Sequence, residues 1–258
     1  MRLVIIGAGN VATVLGRLFQ KNGHQIIQII SKNLASGNIL AAEFNCDHTN
    51  DSLLINLTAD FYFIAISDKE LPSIGLNYQL DNKLVVHSAG AVSKNVIKDV
   101  STNFGVLYPL QSLRKENDTI IQNIPLLIDT NSKESLDQLQ QIALTISNNI
   151  THADDELRMK LHVTAVFVSN FTNYLYELAE NYCTNEGADF RLLLPLIEET
   201  AHRLSHHSPS ATRTGPAARK DMETIQNHLK LLAPYPVMRK VYTNMSEQIM
   251  GSKIGDII

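Results

Sequence analysis

The feature that most limits the fold of this chain is a glycine turn that directly follows a short apolar run near its start. The run Leu3–Ile6 is continuous, as in strands that are buried on both faces of a parallel sheet. The turn reads GAGNVA, a GxGxxA spacing, and it opens the helical pattern of Val11–Asn22. A strand, this turn and a helix in succession predict a unit that binds the pyrophosphate of a dinucleotide.

Each small residue of the turn has its own physical role in this interpretation. Gly7 permits the tight turn, Gly9 leaves the backbone open to the pyrophosphate, and Ala12 lets the helix pack closely on the strand. The helix N-terminus presents free N–H groups and the positive end of its dipole to the phosphates. We therefore expect Gly7, Gly9, Asn10 and Val11 to bind the cofactor. The alternative is a tight strand–helix turn that binds no ligand.

The end of the second predicted strand distinguishes between the two nicotinamide cofactors. Sites selective for NAD place Asp or Glu here, where it binds the ribose 2′-hydroxyl. This chain has Ser31, Lys32 and Asn33 instead, and Lys32 can neutralise a 2′-phosphate that a carboxylate would repel. We therefore predict NADP as the cofactor, with Ser31 and Lys32 at its 2′-phosphate. A solvated polar turn is the alternative interpretation.

The first half of the chain alternates between apolar runs and helical patterns. The patterns Val11–Asn22 and Leu34–Phe44 have the spacing and length of helices. Strands that alternate with helices are typical of βαβ units, so we predict an α/β fold with a doubly wound, mostly parallel Rossmann sheet. The predicted strands are the apolar runs Leu3–Ile6, Ile26–Ile30, Phe61–Ile66, Leu84–Val86, Gly105–Leu107 and Pro125–Ile128.

The second half loses the strand pattern after about residue 130 and is predicted to be helical. One amphipathic pattern covers residues 132–147, and a longer one, apolar on nearly all sides at its midpoint, covers residues 154–182. Further helices are predicted at 189–204, 217–232 and 237–250. We therefore expect two domains: a Rossmann NADP-binding domain at residues 1–150 and an all-helical substrate and dimerisation domain at residues 151–258.

Composition excludes several classes of partner and site. The net charge is −4 and no dense basic stretch occurs, so nucleic acid is not an expected partner. No apolar run approaches the ~18 residues that a membrane span needs. Cys46 and Cys183 are too few for a disulfide framework and no signal-peptide pattern is present, which indicates a reduced, cytoplasmic protein. His202 and His206 have ligand spacing, but no Cys or acidic residue adjoins them, so no metal site is predicted.

Three stretches of the first half carry a resemblance to a known superfamily. They are GAGNVA at residues 7–12, DFYFIAISD at residues 60–68 and VHSAG at residues 86–90. On these stretches, the N-terminal half resembles the superfamily of pyrroline-5-carboxylate reductase and 6-phosphogluconate dehydrogenase. The resemblance implies that the nicotinamide lies at the carboxyl ends of the strands near residues 66 and 87, where Ser67, Ser88 and Ala89 would contact the cofactor. Open parallel sheets bind ligands at this edge, so the predicted topology agrees.

The second half carries a resemblance of its own. The stretches YPLQSL at residues 108–113, HVTAVFVSNF at 162–171 and TGPAARKD at 214–221 are similar to the helical domain of bacterial NADP oxidoreductases. That domain is itself of unknown function. The two resemblances together imply a fold and a cofactor class, but they imply no substrate, and they leave open a deazaflavin as the hydride partner.

The candidate catalytic residues are polar side chains near the expected nicotinamide. Hydride transfer leaves the protein mainly to orient the cofactor and to supply or accept a proton. Tyr108 and Gln111 follow the predicted strand Gly105–Leu107, and His162 and Asn170 lie on the long helical pattern. His162 is the first candidate for the proton donor because the pKa of an unperturbed histidine lies near working pH. Packing in the core is the alternative role for His162 and for Tyr108.

Helical geometry predicts how the polar residues of the long pattern are arranged. At 100° per residue, a regular helix places Ser169 within about 20° of His162 and Asn170 about 80° away. Related hydroxyacid dehydrogenases carry a catalytic Lys four residues before an Asn of this helix, and Val166 stands at that position here. This departure argues against the hydroxyacid mechanism.

Two functions of different classes follow from these observations. We predict an NADP-dependent oxidoreductase that transfers a hydride between NADPH and a small carbonyl or imine compound, with or without a carboxylate. The alternative is a non-catalytic nucleotide-binding sensor or scaffold that keeps the Rossmann site. We also predict a homodimer through the long helix, because its second apolar face is larger than one small helical domain would cover.

Overall fold

The computed structural model describes residues 1–116 and 123–256. The chain divides into two compact units, Met1–Phe171 and Thr172–Ile258. The division lies later than residue 150, where we expected the first domain to end. One reason is that Arg158 is buried, and its Nη2 donates to the carbonyl oxygen of Val92 at 2.6 Å. The helix that carries Arg158 is therefore fixed to the first unit.

Eight strands of the described chain form one sheet in the first unit. They are β1 (Arg2–Ile6), β2 (Gln25–Ile30), β3 (Asp47–Thr49), β4 (Phe61–Ile64), β5 (Leu84–His87), β6 (Asn103–Pro109), β7 (Leu126–Thr130) and β8 (Ile150–His152). Their order in the sheet is β3-β2-β1-β4-β5-β6-β7-β8. β6 and β7 pair antiparallel, whereas the other neighbours pair in parallel. This arrangement confirms the predicted α/β Rossmann fold.

The central strands are continuous apolar runs because both faces of the sheet are covered. In β1, Leu3 and Ile5 pack into one core, whereas Val4 and Ile6 pack into the core on the opposite face. All four are at most 3% exposed, so the run cannot alternate between apolar and polar residues. The edge strands β3 and β8 were not predicted, because DHT and ITH are short and polar. The expectation that strands end near residue 130 was therefore wrong.

Helices and short 3₁₀ segments cover the two faces of the sheet. The α-helices of the first unit are α1 (Asn10–Lys21), α2 (Leu34–Phe44), α3 (Lys133–Leu144) and α4 (Asp155–Ala165). The first three pack into one core through Leu15, Leu40 and Leu139. The connections after β4 and β5 contain only 3₁₀ segments, Leu71–Leu76 and Lys94–Ile97, which contribute to the other core.

The long helical pattern predicted over residues 154–182 is not one regular helix. After α4, residues Val166–Phe171 form a π-helical segment, and α5 (Thr172–Asn185) begins the second unit. A π turn holds more residues than an α turn, so it changes which side chains share a face. The angles predicted for Ser169 and Asn170 relative to His162 were therefore wrong.

The second unit is helical in the part that the structure describes. Its further α-helices are α6 (Leu194–His202), α7 (Pro216–Arg219), α8 (Met222–Leu231) and α9 (Pro236–Met250). The single helix predicted at 217–232 is interrupted: Lys220, with φ of 55°, ends α7, and Asp221 caps α8. The small core contains Ala217, Ile225, Met250 and Ile254. Among the described helices, none combines the length and the apolarity that crossing a bilayer requires.

Candidate functional site

The glycine turn after β1 lies between the ends of two neighbouring strands. Gly7 has a φ of +123°, which residues with a side chain rarely adopt. Its N–H donates to the carbonyl oxygen of Ile30, the last residue of β2, at 2.8 Å. A Cβ atom at this position would lie 2.1 Å from the carbonyl oxygen of Ala65, which follows β4. Both the backbone angle and the available space therefore require glycine here.

Gly9 differs from Gly7 because it faces open space. It is the N-cap of α1, and a Cβ atom there would meet no atom of the described chain within 4 Å. No side chain caps this end of α1 in the described structure, so its first N–H groups can bind a ligand. These N–H groups and the positive end of the helix dipole fit a pyrophosphate.

A cleft of about 440 Å³ lies beside this turn. Its walls include Gly7, Gly9, Ser31, Lys32 and Ser67, five of the nine predicted cofactor-binding residues. They come from the ends of β1, β2 and β4, which meet at one edge because the strands are parallel. This edge is where open parallel sheets bind nucleotides, so the residues present fit a dinucleotide.

The other four predicted cofactor residues do not line this cleft. Asn10 and Val11 begin α1, and Asn10 Oδ1 accepts from the backbone N–H of Lys115 at 3.3 Å. Ser88 and Ala89 follow β5. The contact of these four residues with the cofactor stays a prediction.

Lys32 has a carboxylate partner in the cleft. Its Nζ is 2.7 Å from Oε1 of Glu70, which lies in the loop after β4 and also lines the cleft. The hydroxyl of Ser67 donates to Oε2 of Glu70 at 3.0 Å. The hydrogen bonds from Lys32 and Ser67 lower the pKa of Glu70, so its carboxylate is ionised at neutral pH. Sequence reasoning missed Glu70 because 38 residues separate it from Lys32 and no local pattern connects the two.

A second cavity, of about 460 Å³, brings together all four predicted catalytic residues. Tyr108 lies near the end of β6, Gln111 follows it, His162 lies on α4, and Asn170 lies on the π segment. The phenol oxygen of Tyr108 is 3.0 Å from Nδ1 of His162. Ser169 and Asn170 both line this cavity.

Gly90 provides the space that the Tyr108–His162 pair occupies. A Cβ atom at Gly90 would lie 2.7 Å from Nδ1 of His162 and 2.7 Å from Cζ of Tyr108. Gly90 is not among the glycines with a positive φ, so the available space and not the backbone angle requires glycine here. The pair therefore packs directly against the loop that follows β5.

Burial and charge determine the protonation of Tyr108. Burial raises the pKa of its phenol, the charge of Asp68 raises this pKa further, and Arg158 opposes the increase. The phenol is therefore protonated at neutral pH. Its oxygen can donate to Nδ1 of His162 or accept from Nδ1–H, depending on which ring nitrogen of His162 carries the proton.

His87 has a structural role rather than a role in proton transfer. Burial lowers its pKa to about 4, so the imidazole is neutral near pH 7. Its Nδ1 accepts from the N–H of Ala89 at 3.1 Å, which leaves Nε2 to donate to the carbonyl oxygen of Ser93 at 3.3 Å. Both bonds fix the loop that follows β5.

A buried arginine joins α4 to the same loop. Arg158 is 1% exposed, and its Nη2 donates to the carbonyl oxygen of Val92 and to Oδ1 of Asp155, both at 2.6 Å. Asp155 in turn accepts from the hydroxyl of Ser93 and from the N–H of Lys94. Nε and Nη1 of Arg158 have no hydrogen-bond partner among the described residues. These contacts hold the loop against the first turn of α4.

Comparisons with known proteins find two family matches. Residues 2–90 match the family described as NADP oxidoreductase, coenzyme F420-dependent, and residues 124–249 match a domain of unknown function, DUF2520. A candidate NADP oxidoreductase from Bacteroides fragilis is 35% identical with a TM-score of 0.91, and the match covers 97% of this chain and 98% of that one. No curated protein matches this chain.

Two more distant structures share the fold. An imine reductase from Myxococcus stipitatus in complex with NADP⁺ is 14% identical with a TM-score of 0.65, and the match covers 96% of this chain and 93% of that one. A 1-pyrroline-5-carboxylate reductase from Streptococcus pyogenes is 13% identical with a TM-score of 0.64, covering 97% of this chain and 98% of that one. Together with the family matches, these structures confirm the resemblance seen in the sequence.

Proposed function

Because this chain belongs to the family of NADP oxidoreductases that combine a Rossmann domain with a DUF2520 domain, we propose that it transfers a hydride between NADPH and a small compound with a C=O or C=N bond. The observation that carries this proposal is the Tyr108–His162 pair, with 3.0 Å between Oη and Nδ1, at the wall of the second cavity. Reduction of a carbonyl or an imine needs a proton as well as a hydride, and this pair can supply the proton.

The cleft beside the glycine turn is the proposed cofactor site. Bound NADPH supplies the hydride. The N-terminus of α1, opened by Gly7 and Gly9, binds the pyrophosphate, and Lys32 neutralises the 2′-phosphate. The remaining proposed cofactor-binding residues are Asn10, Val11, Ser31, Ser67, Ser88 and Ala89.

His162 is the proposed proton donor, and Tyr108 positions its ring. In the protonated ring, Nδ1–H donates to the phenol oxygen of Tyr108 and Nε2–H passes its proton to the substrate oxygen or nitrogen, which leaves a neutral imidazole. Gln111 and Asn170 line the same cavity and can hydrogen-bond the polar atom of the substrate. The product is an alcohol or an amine, which has gained one hydride on carbon and one proton on the heteroatom.

The walls of the second cavity favour an uncharged substrate. No Lys, Arg, Asp or Glu is among the described residues that line it. A carboxylate placed there would find hydroxyl and amide partners but no Lys or Arg to offset its desolvation. We therefore favour a neutral carbonyl or imine compound over a carboxylated one.

A second copy of this chain is the proposed partner. No residue of α5 or α6 is buried within the single chain. Large apolar side chains are exposed in the helical segments of both units, including Val168 at 75%, Leu192 at 78% and Leu196 at 59%. Monomers rarely expose so much apolar surface. Sedimentation should give twice the chain mass of 28.7 kDa, and a mass near 28.7 kDa would contradict the dimer.

The test of the proposed activity starts with binding. NADPH is titrated into the protein and its fluorescence is followed, and small ketones, imines and oxo acids are then added while the absorbance of reduced nicotinamide is recorded. Turnover of any of them supports an enzyme. Tight NADPH binding without oxidation by any of these compounds would instead favour the nucleotide-binding sensor.

Two variants test the proton donor once a substrate is found. His162→Ala and Tyr108→Phe should each lower kcat by about 10²-fold, the size of a general-acid contribution, without weakening NADPH binding. Tyr176→Phe is the matched control, because Tyr176 does not line this cavity. Full turnover in both His162→Ala and Tyr108→Phe would rule out the assignment.

A further inference from the structure

The cofactor cleft contains an acidic residue where a 2′-phosphate should bind. Glu70 Oε1 lies 2.7 Å from Nζ of Lys32, and Glu70 Oε2 accepts from the hydroxyl of Ser67 at 3.0 Å. All three residues line the cleft. The end of β2 has no acid, so Glu70, from the loop after β4, supplies one from a different strand end.

We propose that Glu70 is a specificity-determining residue that weakens NADPH binding and supports NADH binding. The inference rests on the proposed role of Lys32 at the 2′-phosphate. In the structure, the carboxylate of Glu70 is already paired with the Lys32 ammonium group that the 2′-phosphate would contact. The 2′-phosphate of NADPH must share Lys32 with the Glu70 carboxylate or displace it. NADH instead carries a 2′-hydroxyl, which can donate a hydrogen bond to that carboxylate.

The size of the effect follows from the charges and their separation. A phosphate that contacts Lys32 from the side opposite Glu70 lies about 6 Å from the carboxylate, and both groups are ionised at neutral pH. The side chain of Lys32 is 79% exposed and that of Glu70 is 40% exposed, so water screens the repulsion. Repulsion at this distance in a wet cleft weakens binding about fivefold at low salt.

The same carboxylate acts in the opposite direction on NADH. A ribose 2′-hydroxyl is neutral, so it is not repelled, and a carboxylate is a strong acceptor for it. Lys32 alone would make NADPH bind more tightly than NADH, and Glu70 therefore reduces this difference in affinity. The protein should accept NADH more readily than its Ser31-Lys32-Asn33 turn suggests.

The test uses Glu70→Gln in the full chain. Gln has the same shape and can still accept from Ser67, so the variant removes the charge with little change in packing. Asp137→Asn is the matched control, because Asp137 forms an exposed ion pair with Lys133 on α3, outside the cleft. The dissociation constants of NADPH, NADH, 2′,5′-ADP and ADP are measured by calorimetry at low and high salt.

We expect Glu70→Gln to bind NADPH and 2′,5′-ADP about fivefold more tightly at low salt, with a smaller gain at high salt. NADH and ADP should bind no more tightly than to the wild type, and Asp137→Asn should match the wild type throughout. Unchanged or weaker NADPH binding by Glu70→Gln overturns the inference, as does equal tightening of NADPH and NADH. A wild type that binds neither dinucleotide overturns the proposed function itself.

Discussion

Replacing Gly90 by alanine tests whether the Tyr108–His162 pair is the reacting centre. The new methyl would lie 2.7 Å from Nδ1 of His162 and 2.7 Å from Cζ of Tyr108, closer than any real contact, so at least one ring must move. Since Nδ1 and Oη are only 3.0 Å apart, a shift of either ring breaks or lengthens their hydrogen bond. The φ of Gly90 is not positive, so alanine adds no backbone strain.

Stability and activity should respond to Gly90→Ala very differently. Overpacking costs about 1–3 kcal/mol of folding free energy. Alanine also lowers the conformational entropy of the unfolded chain, which stabilises the folded protein by about 0.4–1 kcal/mol. His162 borders a cavity and can rotate into it, so we expect a net loss near the low end, about 1 kcal/mol. The loss of an oriented proton donor should lower kcat by about 10²-fold.

The assay is steady-state NADPH oxidation, combined with denaturant unfolding of each variant. Gly75→Ala is the matched control, because its methyl would meet, among the described residues, only Cβ of Asp99, at 3.4 Å. In the His162→Ala background, Gly90→Ala should change kcat less than about twofold, because the two changes remove the same interaction. A folded Gly90→Ala protein with wild-type kcat would refute the reasoning. So would a loss of kcat in the His162→Ala background as large as in the wild type.

Three further predictions follow from single contacts. Gly9→Ala should fold with unchanged stability yet lose NADPH binding by more than about tenfold, because its methyl meets no atom of the described residues within 4 Å but would face the phosphates. Gly7→Ala should instead unfold more easily, and calorimetry and denaturant unfolding separate the two effects. Lys32→Glu should narrow or reverse the preference for NADPH over NADH, and an unchanged ratio of dissociation constants would contradict it. Because burial lowers the pKa of His87 to about 4, the unfolded chain binds a proton at this residue at a higher pH than the folded chain does. The free energy of unfolding should therefore fall by about 3 kcal/mol as the pH is lowered from 6.5 to about 4, and His87→Gln should reduce this pH dependence.

The sequence predicted the elements whose signals are local. α2 begins and ends at the predicted residues because Asn33 caps its first turn by accepting from the N–H of Ser36 and Asn45 closes it in the left-handed region. The central strands were found because burial on both faces leaves no exposed position in residues 3–6 of β1 or in β4. β3 and β8 were missed because they pair with the sheet on one side only.

Features that depend on distant parts of the chain were out of reach. Glu70 meets Lys32 across 38 residues, and the hydrogen bonds that place it belong to two different strand ends. The π segment could not be predicted from the sequence, because a turn that is wider by about one residue still gives an apolar pattern typical of a helix. The grouping of Tyr108, His162 and Asn170 was nevertheless predictable, since polar residues in an otherwise apolar helix need partners.

The buried Arg158 connects the loop after β5 to α4. Among the described residues, Nε and Nη1 of Arg158 have no hydrogen-bond partner, and an apolar side chain of similar size would need none. The arginine fixes the position of the loop. Its Nη2 donates to the carbonyl oxygen of Val92 and to Asp155, and Asp155 accepts from the hydroxyl of Ser93. Because Gly90 in that loop leaves the space for Tyr108 and His162, holding the loop in place keeps these two side chains at hydrogen-bond distance.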